Sequence, residues 1–120
     1  MPDFHTSWQD TPIFTKTYEL YKNFYSNLSS FPRKDRYTLG QKCEKILLEL
    51  LEKIILASNI SKQEKLPVLR EASVKVDLLR VFFKLGKDLK IIENIKYIEL
   101  ENSITEIGKM VGGWIKASNS

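Results

Sequence analysis

Four stretches of the chain repeat apolar side chains at intervals of three and four residues, the spacing that gathers them on one face of an α-helix. The first opens at Thr11-Pro12, a capping residue followed by a proline in the first helical position, where its missing N–H is harmless. Phe14, Tyr18, Tyr21, Tyr25 and Leu28 follow along one face, predicting a helix over about residues 12–30 with that stripe turned inward. The second stretch, about residues 35–58, sets Leu39, Cys43, Leu47, Leu50, Leu51, Ile54 and Ile55 on a wide arc, with Lys42, Lys45, Glu49, Glu52 and Lys53 on the other side. The third, about residues 64–87, starts somewhere between Ser61 and Pro67. Ser61 and Glu64 have capping-box spacing, and Pro67 fits a helix start equally well. The fourth, about residues 94–117, carries Leu100, Ile104, Ile107, Val111 and Trp114 in one stripe. Between the last two, Leu89, Ile91 and Ile92 predict a packed connection.

Short connections make consecutive helices antiparallel neighbours. The expected fold is therefore all-α, an antiparallel up-down-up-down four-helix bundle. One domain is expected over residues 12–118, with an N-terminal arm at 1–11 and a tail at 119–120. Trp114, Leu47, Leu50, Phe83 and Tyr21 are expected in its core.

The third helix has more apolar surface than one core can take. At about 100° per residue, Ala72, Val76, Leu79 and Phe83 share one face, and Val74, Leu78, Val81 and Leu85 share the opposite one. Arg70, Asp77, Arg80, Lys84 and Lys87 lie along a flank between them. A helix apolar on two sides is buried on two sides, and an exposed patch of this kind marks an interaction surface. Two covers fit: another copy of the chain, or the chain's own N-terminal arm or Leu89–Ile92 connection. Gly108 and Gly112 suggest close approach of another helix or subunit to the fourth helix, since a mid-helix glycine costs about 1 kcal/mol relative to alanine. Val74, Leu78, Val81, Leu85, Gly108 and Gly112 are thus the candidate oligomer interface.

Composition narrows the function. The 120 residues are 42% hydrophobic and 28% charged, a globular balance, with one cysteine and one histidine. A single cysteine excludes an internal disulfide, and its place on the apolar arc reads as a small buried hydrophobe. His5 alone assembles neither a catalytic triad nor a metal site. No glycine-rich phosphate loop occurs. Neither enzyme activity, nor a metal, nor a cofactor is expected. The start of the chain lacks a signal-peptide pattern, and its longest apolar run, residues 54–57, is far too short to span a bilayer. A cytoplasmic protein is expected.

The net charge of +4 permits a polyanion partner without requiring one. Its distribution adds detail, because residues 31–60 hold six Lys/Arg against four Asp/Glu and residues 61–90 hold eight against four. Two clusters stand out. Arg33, Lys34 and Arg36, beside Tyr37, crowd the turn between the first and second helices; Arg80, Lys84 and Lys87, extended by Lys90, form a ridge on the third helix. Such arrays neutralise phosphates, and an aromatic side chain can stack on a base. Arg33, Lys34, Arg36, Arg80, Lys84 and Lys87 are the candidate nucleic-acid or protein-binding residues.

The run from Phe31 to Leu39 (FPRKDRYTL) and the closing run from Glu106 to Lys116 (EIGKMVGGWIK) resemble the Avd-like four-helix-bundle family. That family includes the accessory proteins of diversity-generating retroelements, and relatives encoded in intervening sequences of 23S ribosomal RNA genes share the bundle. The resemblance covers about residues 12–117. The ribosomal branch commonly carries an Asn-Ile-Ala-Glu-Gly-like signature late in the second helix. This sequence reads EKIILAS over residues 52–58 there, a departure that together with Pro32-Arg33-Lys34 points toward the retroelement branch. The resemblance implies a basic homopentameric ring and a prokaryotic or phage source. It also implies a non-catalytic role in which the ring binds a retroelement reverse transcriptase and RNA or cDNA. The alternative is a self-assembling structural bundle with no polymerase partner.

Overall fold

The computed structural model describes residues 8–119, and the expectations for residues 1–7, His5 among them, and for residue 120 lie outside the described residues. Four long helices carry the chain: α1 (Pro12–Leu28), α2 (Gln41–Ser58), α3 (Lys62–Asp88) and α4 (Asn94–Ser118). No strand occurs among the described residues. α1 and α3 each pack on both α2 and α4, so α1 and α3 sit at opposite corners of the bundle.

Local chemistry sets the boundaries. Thr11 caps α1, its hydroxyl accepting from the Phe14 N–H at 3.4 Å and donating to the Trp8 carbonyl at 2.7 Å. Ser61 wins over Pro67 as the start of α3. Its hydroxyl accepts from the Glu64 N–H at 3.3 Å and donates to the Glu64 carboxylate at 2.7 Å. Pro67 is carried inside the helix, exposed. A three-residue α-turn (Arg33–Asp35) and a π-helical turn (Arg36–Gly40) lead without a break into α2, earlier than the expected start near residue 35. Gly40 is buried there, and a Cβ on it would lie 2.8 Å from Leu28 Cδ2.

α3 ends in a Schellman motif. The Ile91 N–H donates to the Gly86 carbonyl at 2.8 Å and the Lys90 N–H to that of Lys87 at 3.0 Å. Lys90 occupies the left-handed position of this cap, with φ 62°. Ile92 folds back against Gly86 and is buried, so the expected packed connection is present through Ile92, while Leu89 is exposed.

The core joins Leu20 and Phe24 of α1, Cys43, Leu47, Leu50 and Ile54 of α2, Leu79 and Phe83 of α3, and Leu100, Ile104, Ile107 and Val111 of α4. Phe24 stacks on Phe83 with ring centroids 5.8 Å apart. Two core expectations are corrected. In α1 the buried column is Ile13, Thr17, Leu20 and Phe24; Tyr18 and Tyr25 are 48% and 62% exposed, and Phe14, Tyr21 and Leu28 are half-buried. Both columns have helical spacing. The inner one was disguised by Thr17, whose hydroxyl is satisfied by donating to the Ile13 carbonyl at 2.8 Å. Trp114 is half-buried, because steps of three and four drift around the helix and bring it to the edge of the α4 stripe, where Lys65 Nζ lies 5.5 Å from its ring.

Cross-helix ion pairs lock the register. Lys53 pairs with Glu71 at 2.7 Å and Glu49 with Lys75 at 3.4 Å, so residue numbers rise along α2 as they fall along α3. Arg80 meets Glu101 at 3.4 Å, and Lys16 ties α1 to α4 through Glu106 at 2.6 Å. Between α1 and α2, the Tyr21 hydroxyl donates to the Glu44 carboxylate at 2.9 Å.

Candidate nucleic-acid and assembly surfaces

α3 presents the second apolar face to solvent. Val74, Leu78, Val81 and Leu85 are 57%, 36%, 61% and 42% exposed, directly behind the buried Ala72, Val76, Leu79 and Phe83. Neither the described part of the N-terminal arm nor the Leu89–Ile92 connection covers them. The two glycines of the candidate interface part company. A Cβ on Gly108 would lie 3.2 Å from Val76 Cγ1, so its close approach is to α3 of the same chain; Gly112 is exposed with open space around it.

The basic ridge is present but largely neutralised by its own chain. Arg80 pairs with Glu101, Lys84 pairs with Asp88 at 3.0 Å, and Lys87 Nζ lies 5.1 Å from the centre of the Tyr97 ring. The carboxylate of Asp88 holds the Lys84 ammonium above its ordinary pKa. Arg36 is also committed to the fold: its guanidinium donates to the Phe31 carbonyl at 3.1 Å and to that of Ser29 at 2.9 Å, satisfying carbonyls where α1 ends.

Arg33 and Lys34 differ from these. Both are exposed, and no acidic side chain among the described residues lies within ion-pair distance of either. They follow Pro32, which lines a 240 Å³ cleft between the α1–α2 turn and the α3–α4 connection. Asn27 and Ser30 line one wall; Lys90 and Lys96 stand on the other, with Glu93 between them. One end of the bundle thus gathers Arg33, Lys34, Lys90 and Lys96 from segments far apart in sequence. Lys90 was read from sequence as an extension of the ridge; Lys96 was missed, since only the fold brings it to Pro32.

Cys43 is fully buried, and burial pushes its thiol up to about 12, a protonated, unreactive side chain. Among the described residues no cluster of His, Cys, Asp and Glu could hold a metal ion, and no helix is long and apolar enough to cross a membrane.

A family model described as bAvd-like matches residues 13–118, which take in the four helices but for Pro12, and the three connections between them. The chain belongs to the bAvd-like family. No curated protein matches it. Both runs that carry the resemblance in the sequence lie within the matched span, one forming the π-turn entry to α2 and the other the last turns of α4. In this bAvd-like bundle the α3 column and the basic end, one apolar and one polar, lie on different parts of the surface.

Proposed function

We propose that this chain is a non-catalytic accessory subunit of a diversity-generating retroelement. In this reading it is an up-down-up-down bundle that assembles into a homopentameric ring and binds the retroelement reverse transcriptase together with RNA or cDNA. The bAvd-like match over residues 13–118 is the observation that carries the role. The reversed order of the α2–α3 ion pairs supports the up-and-down arrangement, and the bare Val74–Leu85 column supports assembly. The contact to nucleic acid is assigned first to Arg33, Lys34 and Lys90, whose charge is free of acidic partners, and second to the ridge of Arg80, Lys84 and Lys87.

Neutralisation of that ridge by Glu101 and Asp88 favours a second reading, a self-assembling structural bundle of the ribosomal-intervening type without a polymerase. The two separate in one experiment. The protein is co-expressed with a reverse transcriptase from a retroelement carrying a template repeat, and the complex is isolated at low salt. Co-purification with the polymerase, lost in an Arg33→Glu/Lys34→Glu variant of unchanged helicity, is the expected result. An oligomer that never retains polymerase or RNA overturns the proposal in favour of the structural reading.

A further inference from the structure

The turn that leads into α2 holds an aromatic ring that the fold does not use. Tyr37 is 68% exposed, more than any other tyrosine of the chain. The other four are engaged. Tyr18 and Tyr25 each stack on a neighbouring ring of α1, Tyr21 donates a hydrogen bond to Glu44, and Tyr97 carries Lys87 over its face. Among the described residues Tyr37 has no ring contact, no cation over its face and no hydrogen bond from its hydroxyl.

Backbone geometry turns that ring outward. In an α-helix Tyr37 would lie beside Gly40, three residues on, and Gly40 is buried. The π-helical turn over Arg36–Gly40 closes its hydrogen bonds over five residues and winds less per residue, which swings Tyr37 away from the buried side. Arg33 and Lys34 precede Tyr37 by four and three residues, so they stand one turn away on the same side, exposed and without acidic partners. Residues 33–38 include no aliphatic side chain, so the ring is framed by charge rather than by an apolar patch.

We propose that Tyr37 stacks on an unpaired base while Arg33 and Lys34 hold the phosphates beside it, so that this corner reads single-stranded nucleic acid. This rests on the nucleic-acid reading above and deepens it by naming the form of strand and the residue that selects it. Two cations alone would hold any phosphate backbone, paired or unpaired. The ring adds discrimination. Every base has a π-face, but in a duplex both faces are covered by the neighbouring pairs; only an unpaired base can swing out to meet a side chain.

The test uses three labelled probes at fixed salt, read by fluorescence anisotropy: an oligouridine RNA, the same strand in a duplex, and a strand of equal length with abasic residues. Tyr37→Ala should weaken binding of the base-bearing single strand by about 5- to 150-fold, the range for one lost base stack. Its affinity for the duplex and the abasic strand should be unchanged, as should the slope of affinity against salt, because no phosphate contact is removed. Tyr37→Phe should bind like the wild type and Tyr37→Leu like the alanine variant, which separates a stacked ring from mere apolar bulk. The exposure of Tyr37 predicts full helicity in all three variants, checked by circular dichroism. A Tyr37→Ala protein that binds all three probes like the wild type, or loses them equally, overturns the stacking while leaving electrostatic binding intact. A wild-type protein that binds none of the probes overturns the nucleic-acid reading itself. Loss of polymerase capture by Tyr37→Ala at undiminished RNA affinity assigns the ring to a protein partner and also overturns the proposal.

Discussion

Lys90 carries a left-handed backbone angle that a side chain with a Cβ adopts at a cost of about 1–2 kcal/mol. Glycine is the usual occupant of that position in a Schellman motif. Lys90→Gly should therefore stabilise the isolated protein by about 1 kcal/mol, read as a higher urea midpoint at unchanged slope. The same substitution removes an ammonium from the basic end, so a gain in stability accompanied by weaker RNA binding is expected. At the α1 surface, two neighbouring residues separate the core from the tyrosine column. Leu20→Ala should cost about 2–5 kcal/mol, as large-to-small changes in a filled core do. Tyr18→Ala, measured on protein kept monomeric by Leu78→Glu/Val81→Glu, should stay within about 0.5 kcal/mol of its parent. Equal costs would mean that the inner face of α1 is the aromatic one after all.

At the scale of the helices, polar ties at the surface hold neighbours in register over a core that is almost wholly apolar. The hydrogen bond from Lys53 holds the Glu71 carboxyl below its ordinary value, and that from Lys16 does the same for Glu106. A carboxyl whose folded pKa is depressed contributes stability above its unfolded pKa and loses it as pH falls through the folded one. Stability should therefore be level near neutrality and decline below about pH 4.5, where the unfolded-state carboxyls begin to bind protons. Replacing Glu71 and Glu106 with Gln should flatten that decline in urea titrations run across the acid range. The number and extent of the helices were legible in sequence, because their caps and period are local. Ser61 and Glu64 show why: the capping box is complete within four consecutive residues. The face of α1 was not legible, since Ile13–Phe24 and Phe14–Tyr25 have the same period and the larger rings drew the reading to the outer column. The α3 face was legible in full, because no permutation of one core accommodates two opposite apolar columns.

For the molecule as a whole, the positive end is a product of topology. Arg33 and Lys34 belong to the connection between α1 and α2, Lys90 to the last connection and Lys96 to the first turn of α4, and the sequence separates the two groups by about half its length. No local pattern could bring them together, whereas the ridge of Arg80, Lys84 and Lys87 was visible as a helical stripe; its acidic partners on α4 and at Asp88 were not. Counterion release supplies the expected signature of binding at that end. If the assembled ring touches six to ten phosphates, affinity for single-stranded RNA should fall by about 10³–10⁵ between about 50 and 200 mM salt. Reversing Arg33 and Lys34 to Glu should lower both the affinity and the slope of that dependence. Equal loss from Arg80→Glu/Lys84→Glu would return the contact to the ridge.

Trp8 and Trp114, the two tryptophans of the chain, line a cleft with Ser58 and Lys65 at the opposite end of the bundle from Lys90 and Pro32. Intrinsic emission excited at the red edge of the absorption band is thus a local gauge of one pole. An RNA titration should leave that emission flat while the anisotropy of a labelled strand saturates. A shift to longer wavelength would instead report loosening of the last turns of α4, far from the phosphates. The chain carries an internal optical reference that distinguishes occupation of one pole from unravelling of the other.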